Sequence, residues 1–585
     1  MIKHNNSNHN KKEEFPTASR RGSSHAYESG MGALRIIPLG GCEEVGRNMT
    51  VFEYGQDIIV LDMGIQFPEE DMPGIDYVIP NTEYLKGKEK QIKAVIFSHG
   101  HLDHIGAAPI LLKKLGNPLI IGRPLTLEMI KHRQEDFDRN SSKKLKTLYV
   151  KSLSEVHKLG NFTIKFFAID HAIMDAVGVI LETPVGTVIH PGDWTIEKAP
   201  IGRKELEYTQ LQHLKKPTIL MLESIAAVNN KKQVTEEEML ANLHKLIANA
   251  PGRVIVATFS SQIERVKQIM EFAAKTNKKV ALDGFSMKLN IEIAQKLGYI
   301  KIPKGVIIPI DKTHEYPNNK VVVVCTGAQG EERAALSRIV AGNHRHIQIK
   351  KDDTVIFSSS VIPGNERTVQ RLRDNLYRLS DYVYHSDMID VHISGHSNQD
   401  GVRKMINDIK PTYFIPVYGN HFMLKEAAKL AYELGYSKDK VLVPDNGSVM
   451  KLTKEGFVML PDKVPSNYVF VDGLGVGDVG EIVLRDRQML AEDGMFVIVA
   501  AIDSKTGKVK GSPDIISRGF VYLRESKELL AQTRKKVIEI VEKSAGHTGA
   551  INWVYVKDEI RNKVGDFLHS KTSRRPMILP VVIEV

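Results

Sequence analysis

Ser98-His99-Gly100-His101-Leu102-Asp103-His104-Ile105-Gly106 carries the densest chemistry in the chain, with three imidazoles and a carboxylate in the pattern H-x-H-x-D-H. Zinc and manganese bind such ligands, and a carboxylate that does not bind its neighbours' ion can help to hold a second ion. A histidine-rich surface turn is the simpler alternative. Because the pattern is rare by chance, it favours a metal site.

The residues around this cluster predict a loop between a strand and a helix. Residues 92–97 (IKAVIF) are typical of a buried strand, and residues 105–112 (IGAAPILL) of the start of a helix. Open α/β sheets carry their chemistry at the carboxyl ends of strands. The sequence therefore predicts an α/β fold with metal ligands at one edge of a sheet.

Other strand-like runs also end at residues that can bind or support a metal. Such runs lead to Asp62, to His171 and to Asp193. Each residue alone would be an ordinary loop residue. In this order around the H-x-H-x-D-H cluster, they favour one composite site.

Composition indicates a multi-domain globular protein. A chain of 585 residues with 42% hydrophobic residues can bury several cores. Cys42 and Cys325 offer neither a disulfide framework nor a cysteine-rich zinc site, so a reducing cytoplasm is expected. No apolar run approaches the roughly 18 residues of a membrane helix, so no membrane partner is expected.

The charge pattern favours a polyanionic partner. The formal net charge is +10 at pH 7, although a charged surface can simply be solvated. Residues 1–32 are polar and basic, and we expect a disordered arm there rather than a signal peptide. Lysine and arginine pairs in this arm could touch phosphates, while a passive tail is the alternative.

The hydrophobic pattern predicts several domains in the rest of the chain. Four apolar runs are typical of buried parallel strands and predict a second α/β unit, at residues 219–222, 254–257, 280–282 and 321–324. A helix over 526–544 and strands over 553–556 and 577–583 predict a small α+β domain at the end. The predicted divisions are 33–217, 218–380, 381–455, a linker at 456–465, and 466–585.

Long stretches carry a family resemblance, among them PLGGCEEVGRNM, IQFPEEDMPGIDYVIP, TGAQGEERAALSRI, VHISGHSNQDG, VDGLGVGDVG and KTSRRPMILPVVIEV. From about Leu34 to Val585 the chain resembles ribonuclease J, a family of β-CASP nucleases in the metallo-β-lactamase superfamily. The resemblance implies a metallo-β-lactamase αββα sandwich (33–217 and 381–455) interrupted by a β-CASP domain (218–380). It also implies RNA as substrate and a C-terminal domain that supports a dimer or tetramer.

The resemblance implies a two-metal site for Zn²⁺, or for Mn²⁺ or Mg²⁺. One ion would be held by His99, His101 and His171, and the other by Asp103 and His104, with Asp193 between them. Asp62 would orient a ligand histidine. Catalysis would fall to Asp103, Asp193 and His396, where the histidine contacts the scissile phosphate and protonates the leaving oxygen.

The segment before His396 is expected to line the substrate pocket through His392, Ile393, Ser394 and Gly395. A histidine buried in the core is the alternative for His392. The hydroxyls of three serines are candidate phosphate donors, with ordinary loop hydroxyls as the alternative: Ser260, Ser261 and Ser286.

Three positions depart from the family pattern. Tyr418 stands where a histidine normally completes the second metal's ligands, and a neutral phenol with a pKa near 10 is a weak ligand. It could bind as phenolate beside a dication, or His421 could substitute. Glu223 replaces an aspartate and is expected to keep its orienting role. Phe285 replaces a common arginine, which weakens the expected contact with a terminal phosphate.

The resemblance further implies a structural Ca²⁺ that joins the first and last domains. Gly74, Asp76 and Asp472 match the expected oxygen ligands. Plain turn carboxylates are the alternative.

Together these features predict a cytoplasmic, metal-dependent ribonuclease. It would remove nucleotides from RNA 5′ ends, could also cut internally, and would act in RNA maturation and decay. One alternative is a paralogue whose second metal site is weakened by Tyr418, acting as an RNA-binding scaffold or as partner to a homologous subunit or RNA-decay assembly. A small-ester hydrolase is another, but it leaves the long insertion unexplained.

Overall fold

The computed structural model describes residues 32–196, 206–231, 234–521, 526–544 and 552–585. The predicted arm at 1–32 lies outside these residues, except for Gly32. Among the described residues, no helix is both long and apolar enough to cross a membrane.

The described residues form 25 strands and 13 α-helices. The strands are β1 Leu34–Gly40, β2 Met49–Tyr54, β3 Asp57–Leu61, β4 Tyr77–Ile79, β5 Ile92–Ile96, β6 Leu119–Gly122, β7 Thr147–Tyr149, β8 His157–Leu159, β9 Phe162–Ala168, β10 Val177–Glu182, β11 Thr187–His190, β12 Thr218–Glu223, β13 Val254–Ala257, β14 Lys279–Asp283, β15 Val321–Cys325, β16 Thr354–Phe357, β17 Tyr382–His385, β18 Tyr413–Val417, β19 Ser448–Leu452, β20 Phe457–Lys463, β21 Val469–Asp472, β22 Gly475–Val476, β23 Met495–Ile502, β24 Asp514–Arg518 and β25 Met577–Glu584. The helices are α1 Leu102–Ile105, α2 Ala108–Lys114, α3 Pro124–Phe137, α4 Glu236–Asn249, α5 Ile263–Lys275, α6 Phe285–Lys296, α7 Ala335–Val340, α8 Glu366–Leu379, α9 Gln399–Ile409, α10 His421–Glu433, α11 Glu481–Glu492, α12 Lys527–Ser544 and α13 Trp553–Thr572.

Two sheets pack face to face and form the predicted sandwich. The strand orders are β20-β19-β1-β2-β3-β5-β6-β7 and β18-β12-β11-β10-β9-β8. Their shared core contains Phe52 and Ile96 from the first sheet with Val179 and Ile415 from the second. Helices α2 and α3 cover one outer face, and α9 and α10 cover the other. The α/β sandwich expected from the sequence is thus confirmed.

Both sheets carry polar residues at strand ends on the same side of the sandwich. Strands β3 and β5 run parallel and end just before Asp62 and His99. In the second sheet, β11, β12 and β18 run parallel to one another. Their ends bring Asp193, Glu223 and Tyr418 toward the same edge.

The inserted unit is a five-stranded sheet in the order β14-β15-β13-β16-β17, with every pair parallel. Three of the four apolar runs form β13, β14 and β15, as predicted. The run at 219–222 was assigned to this unit wrongly, because β12 pairs with β11 and β18 in the sandwich. Strand β17, which lies beyond the predicted end at 380, completes the inserted sheet.

The predicted linker at 456–465 is wrong, because Phe457–Lys463 forms edge strand β20 and pairs with β19. A small sheet then joins β21 to β4 of the first unit. The final sheet, β24-β23-β25, packs one face on α12 and α13. The predicted helix at 526–544 is confirmed, whereas the predicted strand at 553–556 forms the first turn of α13.

Candidate metal centre

The side chains of His99, His101, His171 and Asp193 converge at the carboxyl edge of the sandwich. Their nearest ligand atoms all lie within 4.8 Å of one another. His101 Nδ1 is 3.1 Å from both His99 Nε2 and His171 Nε2. These four residues come from three separate strand ends, so the fold, rather than local sequence, assembles the cluster.

Hydrogen bonds fix which ring nitrogens face the cluster. The Ser98 hydroxyl donates to Asp62 Oδ2 at 2.8 Å, which leaves its oxygen to accept from His99 Nδ1 at 3.0 Å. His171 Nδ1 donates to the carbonyl of Gly395 at 2.8 Å. Since each imidazole uses its proton on the far side, the Nε2 lone pairs of both rings point into the cluster.

The electrostatics of the cluster fit a divalent cation. Burial, followed by the charge of the neighbouring imidazoles, holds the pKa of His99 well below its usual value, and burial does the same for His171. Burial also lowers the pKa of His101 to about 4. These rings are neutral at neutral pH, the form in which imidazole binds metals.

A second cluster consists of Asp103, His104 and Asp193. His104 Nε2 lies 3.4 Å from Asp103 Oδ2 and 3.3 Å from Asp193 Oδ2. His104 Nδ1 donates to Asp62 Oδ2 at 2.8 Å, which turns the other nitrogen toward the cluster. The Asn48 amide donates to His104 Nε2 at 3.0 Å and lies 3.3 Å from Asp103 Oδ2.

Asp193 lies between the two clusters and belongs to both. Its Oδ2 is 3.9 Å from both His99 Nε2 and His171 Nε2, in addition to its contact with His104. Its Oδ1 is buried and has no hydrogen-bond partner among the described residues. A buried carboxylate oxygen without a partner is costly, and a bound cation would satisfy it.

Tyr418 lies beside the second cluster, where the family pattern places a histidine. Its ring centre is 5.4 Å from that of His104, and its buried hydroxyl has no partner within the described part of the chain. Burial, followed by the charges of Asp62 and Asp193, raises the pKa of Tyr418 well above 10. The protein alone therefore keeps this phenol neutral and a poor ligand.

His421 does not replace the missing imidazole. It is the first residue of α10, and its Nδ1 pairs with Asp445 Oδ1 at 3.1 Å. The helix thus directs this side chain away from the second cluster. The alternative in which His421 completes the ligand set is not supported by this geometry.

His396 and Glu223 form a pair next to Asp193. His396 Nδ1 lies 3.2 Å from Glu223 Oε1 and 4.0 Å from Asp193 Oδ2. Desolvation lowers the pKa of His396, but the charge and hydrogen bond of Glu223 outweigh it, and the pKa rises to about 9. Glu223 is held in turn by the backbone N–H of Ile225 at 3.0 Å.

The residues before His396 divide between pocket and core. The carbonyl of Gly395 holds His171, and the Ser394 hydroxyl accepts from the His396 backbone at 3.0 Å. Ile393 was expected to line the pocket, but its side chain is buried in a cluster with α4. The ring of His392 lies 6.3 Å from that of Phe259, at the start of the loop after β13.

The three serine candidates occupy loops at the same edge of the inserted sheet. The hydroxyl of Ser261 is 2.9 Å from His101 Nε2, which brings the inserted unit into contact with the metal cluster. Ser260 accepts from Asn290 through its carbonyl at 2.9 Å. Ser286 is exposed at the start of α6.

The predicted calcium site is not supported. The guanidinium of Arg487 donates to the carbonyl of Gly74 at 3.2 Å and to Asp472 Oδ2. Asp76 Oδ2 accepts from the backbone of Gly473 at 2.8 Å. An arginine already supplies the positive charge there, so these oxygens do not form a vacant calcium shell.

Family models match four parts of the chain. They are described as "Metallo-beta-lactamase superfamily" at residues 43–234, "Ribonuclease J, beta-CASP domain" at 251–376, "Zn-dependent metallo-hydrolase RNA specificity domain" at 385–444 and "Ribonuclease J C-terminal domain" at 482–585. Ribonuclease J2 of Bacillus subtilis (strain 168) is 35% identical over 94% of this chain and 99% of its own length. The chain belongs to the ribonuclease J family.

Other ribonuclease J sequences are similarly related. Ribonuclease J 1 of Streptococcus pyogenes serotype M3 is 36% identical over 94% of this chain and 97% of its own length. Ribonuclease J 2 of Staphylococcus aureus (strain MRSA252) is 34% identical over 94% of this chain and 98% of its own length. The resemblance inferred from the sequence is confirmed, and membership identifies the chain as a nucleic-acid hydrolase that uses divalent metal.

A solved structure matches at a lower level. The crystal structure of a protein of unknown function from Enterococcus faecalis V583 aligns with a TM-score of 0.49 and 15% identity. The alignment covers 72% of this chain and all of that one.

Three residues around the metal centre were not predicted from the sequence. Ser98 orients His99, Asn48 contacts His104 and Asp103, and His190 is buried with its ring centre 5.1 Å from that of Tyr418. Asn48 lies within the PLGGCEEVGRNM stretch, and the other two directly flank ligand segments. Their position beside the ligand motifs was the available signal, but nothing local showed which way they point.

Proposed function

We propose that this chain is a two-metal ribonuclease that removes nucleotides from RNA 5′ ends, cuts internally as well, and acts in the cytoplasm in RNA maturation and decay. The observation that carries the proposal is the Asp193 carboxylate between two ligand clusters. Paired metal sites of this kind serve in-line displacement at phosphorus.

The imidazole and carboxylate ligands fit Zn²⁺ or Mn²⁺. One set is His99, His101, His171 and Asp193, and the other is Asp103, His104 and Asp193. When bound, the cations supply a water of lowered pKa and stabilise charge on the attacking and leaving oxygens. Asp62 and Ser98 hold the imidazoles in the tautomers that this requires.

His396 is the proposed acid for the leaving oxygen. Its pKa of about 9 keeps it protonated at neutral pH, and Glu223 both raises that pKa and holds the ring in place. The proton on its Nε2 can pass to the oxygen that departs from phosphorus. This assigns Glu223 a positioning role rather than direct contact with RNA.

The inserted unit supports a site for a long, flexible substrate. The loops that follow its parallel strands reach the metal cluster, as the contact between Ser261 and His101 shows. Ser260 and Ser286 lie on neighbouring loops of that edge. A small ester would need no second domain here, whereas a nucleic-acid strand can be held between the two units.

An RNA labelled at its 5′ end tests the proposal directly. The parent chain with zinc or manganese should release labelled mononucleotide from a 5′-monophosphorylated RNA, and Asp193→Asn should abolish the release. Short labelled oligonucleotides among the first products would assign internal cutting as well. Asp57→Asn is the matched control, because Asp57 is a buried carboxylate at the opposite end of β3. Equal rates in the parent and Asp193→Asn would refute the site.

Tyr418 favours a second candidate function. Its neutral, buried phenol replaces an expected ligand, so the second ion would bind weakly. The chain would then act as an RNA-binding scaffold or as partner to an active homologous subunit. A scaffold binds RNA with a steep salt dependence but shows no turnover that Asp193→Asn abolishes.

Assembly through the C-terminal domain is part of the proposal. One face of the sheet formed by β23, β24 and β25 packs on α12 and α13. Its other face exposes alternate apolar residues of β25, namely Leu579, Val581 and Ile583. Such a face supports a homo-oligomer, a dimer or a tetramer, or contact with a homologous ribonuclease J subunit.

A further inference from the structure

Phe285 is an exposed aromatic residue at the edge of the inserted sheet. It follows β14 as the first residue of α6, and 73% of its surface is accessible. Large aromatic side chains are usually buried, and an exposed one gains nothing for folding. Single exposed aromatic residues are common on protein surfaces, so it is the residues around Phe285 that indicate a ligand.

Two basic side chains contact Asp283, which lies two residues before Phe285. Lys288 lies three residues later, on the same face of α6, and its side chain is 50% exposed. Arg338 of α7 is 46% exposed and lies 3.6 Å from Asp283, the residue that also contacts Lys288. Phe285, Ser286, Lys288 and Arg338 form what we call the Phe285 surface.

The Phe285 surface lies on the side of the inserted unit that faces the metal centre. All five strands are parallel, so the loop with Ser261 and the start of α6 share one edge. Ser261 contacts His101, and Asn290 of α6 donates to the carbonyl of Ser260. Only β15 separates β13 from β14, which places their ends about 10 Å apart.

We propose that the Phe285 surface holds one unpaired nucleotide of the RNA outside the metal centre, with its base stacked on Phe285 and its phosphate near Lys288 and Arg338. This rests on the proposed ribonuclease function and deepens it by naming Phe285 as a residue that positions the RNA. An aromatic ring beside cations is the usual combination in grooves that bind single strands without sequence preference.

The test measures binding of an unstructured RNA 15-mer by fluorescence anisotropy in EDTA, where metal-dependent hydrolysis does not occur. Loss of one stacked base weakens binding by about 5- to 150-fold, and we expect this for Phe285→Ala and Phe285→Leu. Phe285→Tyr and Phe285→Trp keep the π face and should bind within about threefold of the parent. Retained affinity in the leucine variant would overturn stacking.

Matched variants separate the contributions. Phe137→Ala removes an aromatic that is 48% exposed at the far end of α3, about 20 Å along the helix from the active edge, and should bind normally. Lys288→Ala should reduce the salt dependence of binding by about one ion, whereas Phe285→Ala should leave it unchanged. A single abasic position that weakens the parent but not Phe285→Ala would locate the stacked base.

The outcomes distinguish this inference from the function on which it rests. No RNA binding by the parent would overturn both. If the parent binds RNA and Phe285→Ala binds it equally well, the inference alone is overturned. The exposed ring would then be assigned to another partner, such as a protein.

Discussion

Asp62→Asn should weaken binding of the second metal ion while leaving the fold intact. Asp62 is fully buried, and its carboxylate accepts from the Ser98 backbone, the Ser98 hydroxyl and His104 Nδ1, each at 2.8 Å. In asparagine one of the two carboxylate oxygens is replaced by an NH₂ group, which can only donate hydrogen bonds. It would meet His104 Nδ1 as a donor, which favours the tautomer that carries its proton on Nε2, toward the metal.

The magnitude follows from that loss of orientation. Removing a partner that orients a metal ligand typically costs 10- to 100-fold in metal affinity, or about 1.4 to 2.8 kcal/mol. The loss should be larger for the cluster of Asp103 and His104 than for the other, because Asp62 reaches His99 only through Ser98.

Isothermal titration of metal-free protein with zinc provides the assay. The parent should show two binding events, and Asp62→Asn should weaken one of them selectively. Asp57→Asn serves as control, because Asp57 lies at the start of β3, about 16 Å from Asp62, and binds Asn161 and Lys93 instead. Two events of parental affinity in Asp62→Asn would refute the role of this carboxylate.

Three further variants test other parts of the site. Tyr418→His should strengthen binding of the second ion and raise the rate of RNA hydrolysis by about tenfold or more. A neutral imidazole binds metal ions, whereas the raised pKa of Tyr418 keeps its phenol protonated and a poor ligand. Zinc titrations that are unchanged in Tyr418→His would show that the ligand set is already complete. Glu223→Gln should move the alkaline limb of the pH–rate profile to lower pH by about 1 unit or more. His396 acts when protonated and loses its acid form as pH rises through its pKa, which Glu223 raises to about 9. Bound cations lower that pKa in both proteins, and an alkaline limb that does not move in Glu223→Gln would exclude His396 as the acid. Gly395→Ala should lower zinc affinity, because its methyl group would lie 2.9 Å from the imidazole of His171. In the control Gly456→Ala the methyl group meets no neighbour within 4 Å, so this variant should bind zinc normally. Equal zinc affinities in the two variants would show that the loop accommodates the methyl group at Gly395.

The sequence predicted best where the chemistry is contiguous. The H-x-H-x-D-H cluster fills one loop, and the other ligands directly follow apolar strands, so spacing and order were enough to propose them. The groups that orient these ligands were harder to identify. Ser98 and Asn48 are polar residues of common type, and only the fold shows that they face the imidazoles.

The predicted secondary structure and domain assignments were wrong where long-range packing outweighs the local sequence pattern. The run at 553–556 is rich in β-formers, but Val556, Ile560, Val564 and Leu568 are all buried at helical spacing and fix α13. Residues 219–222 are all apolar, as are the runs that form strands of the inserted sheet, and only pairing with β11 and β18 assigns them to the sandwich. Arg487, far along the chain, decides the chemistry at Gly74 and Asp472.

The most direct test of the account is RNA hydrolysis measured against the number of zinc ions bound per chain. Metal-free protein should be inactive, and hydrolysis should appear as about two ions bind to the parent. Asp193→Asn should weaken the binding of both ions and abolish the activity, since its carboxylate belongs to both clusters. Undiminished hydrolysis by the metal-free chain, or hydrolysis that is equal in Asp193→Asn, would contradict the central claim.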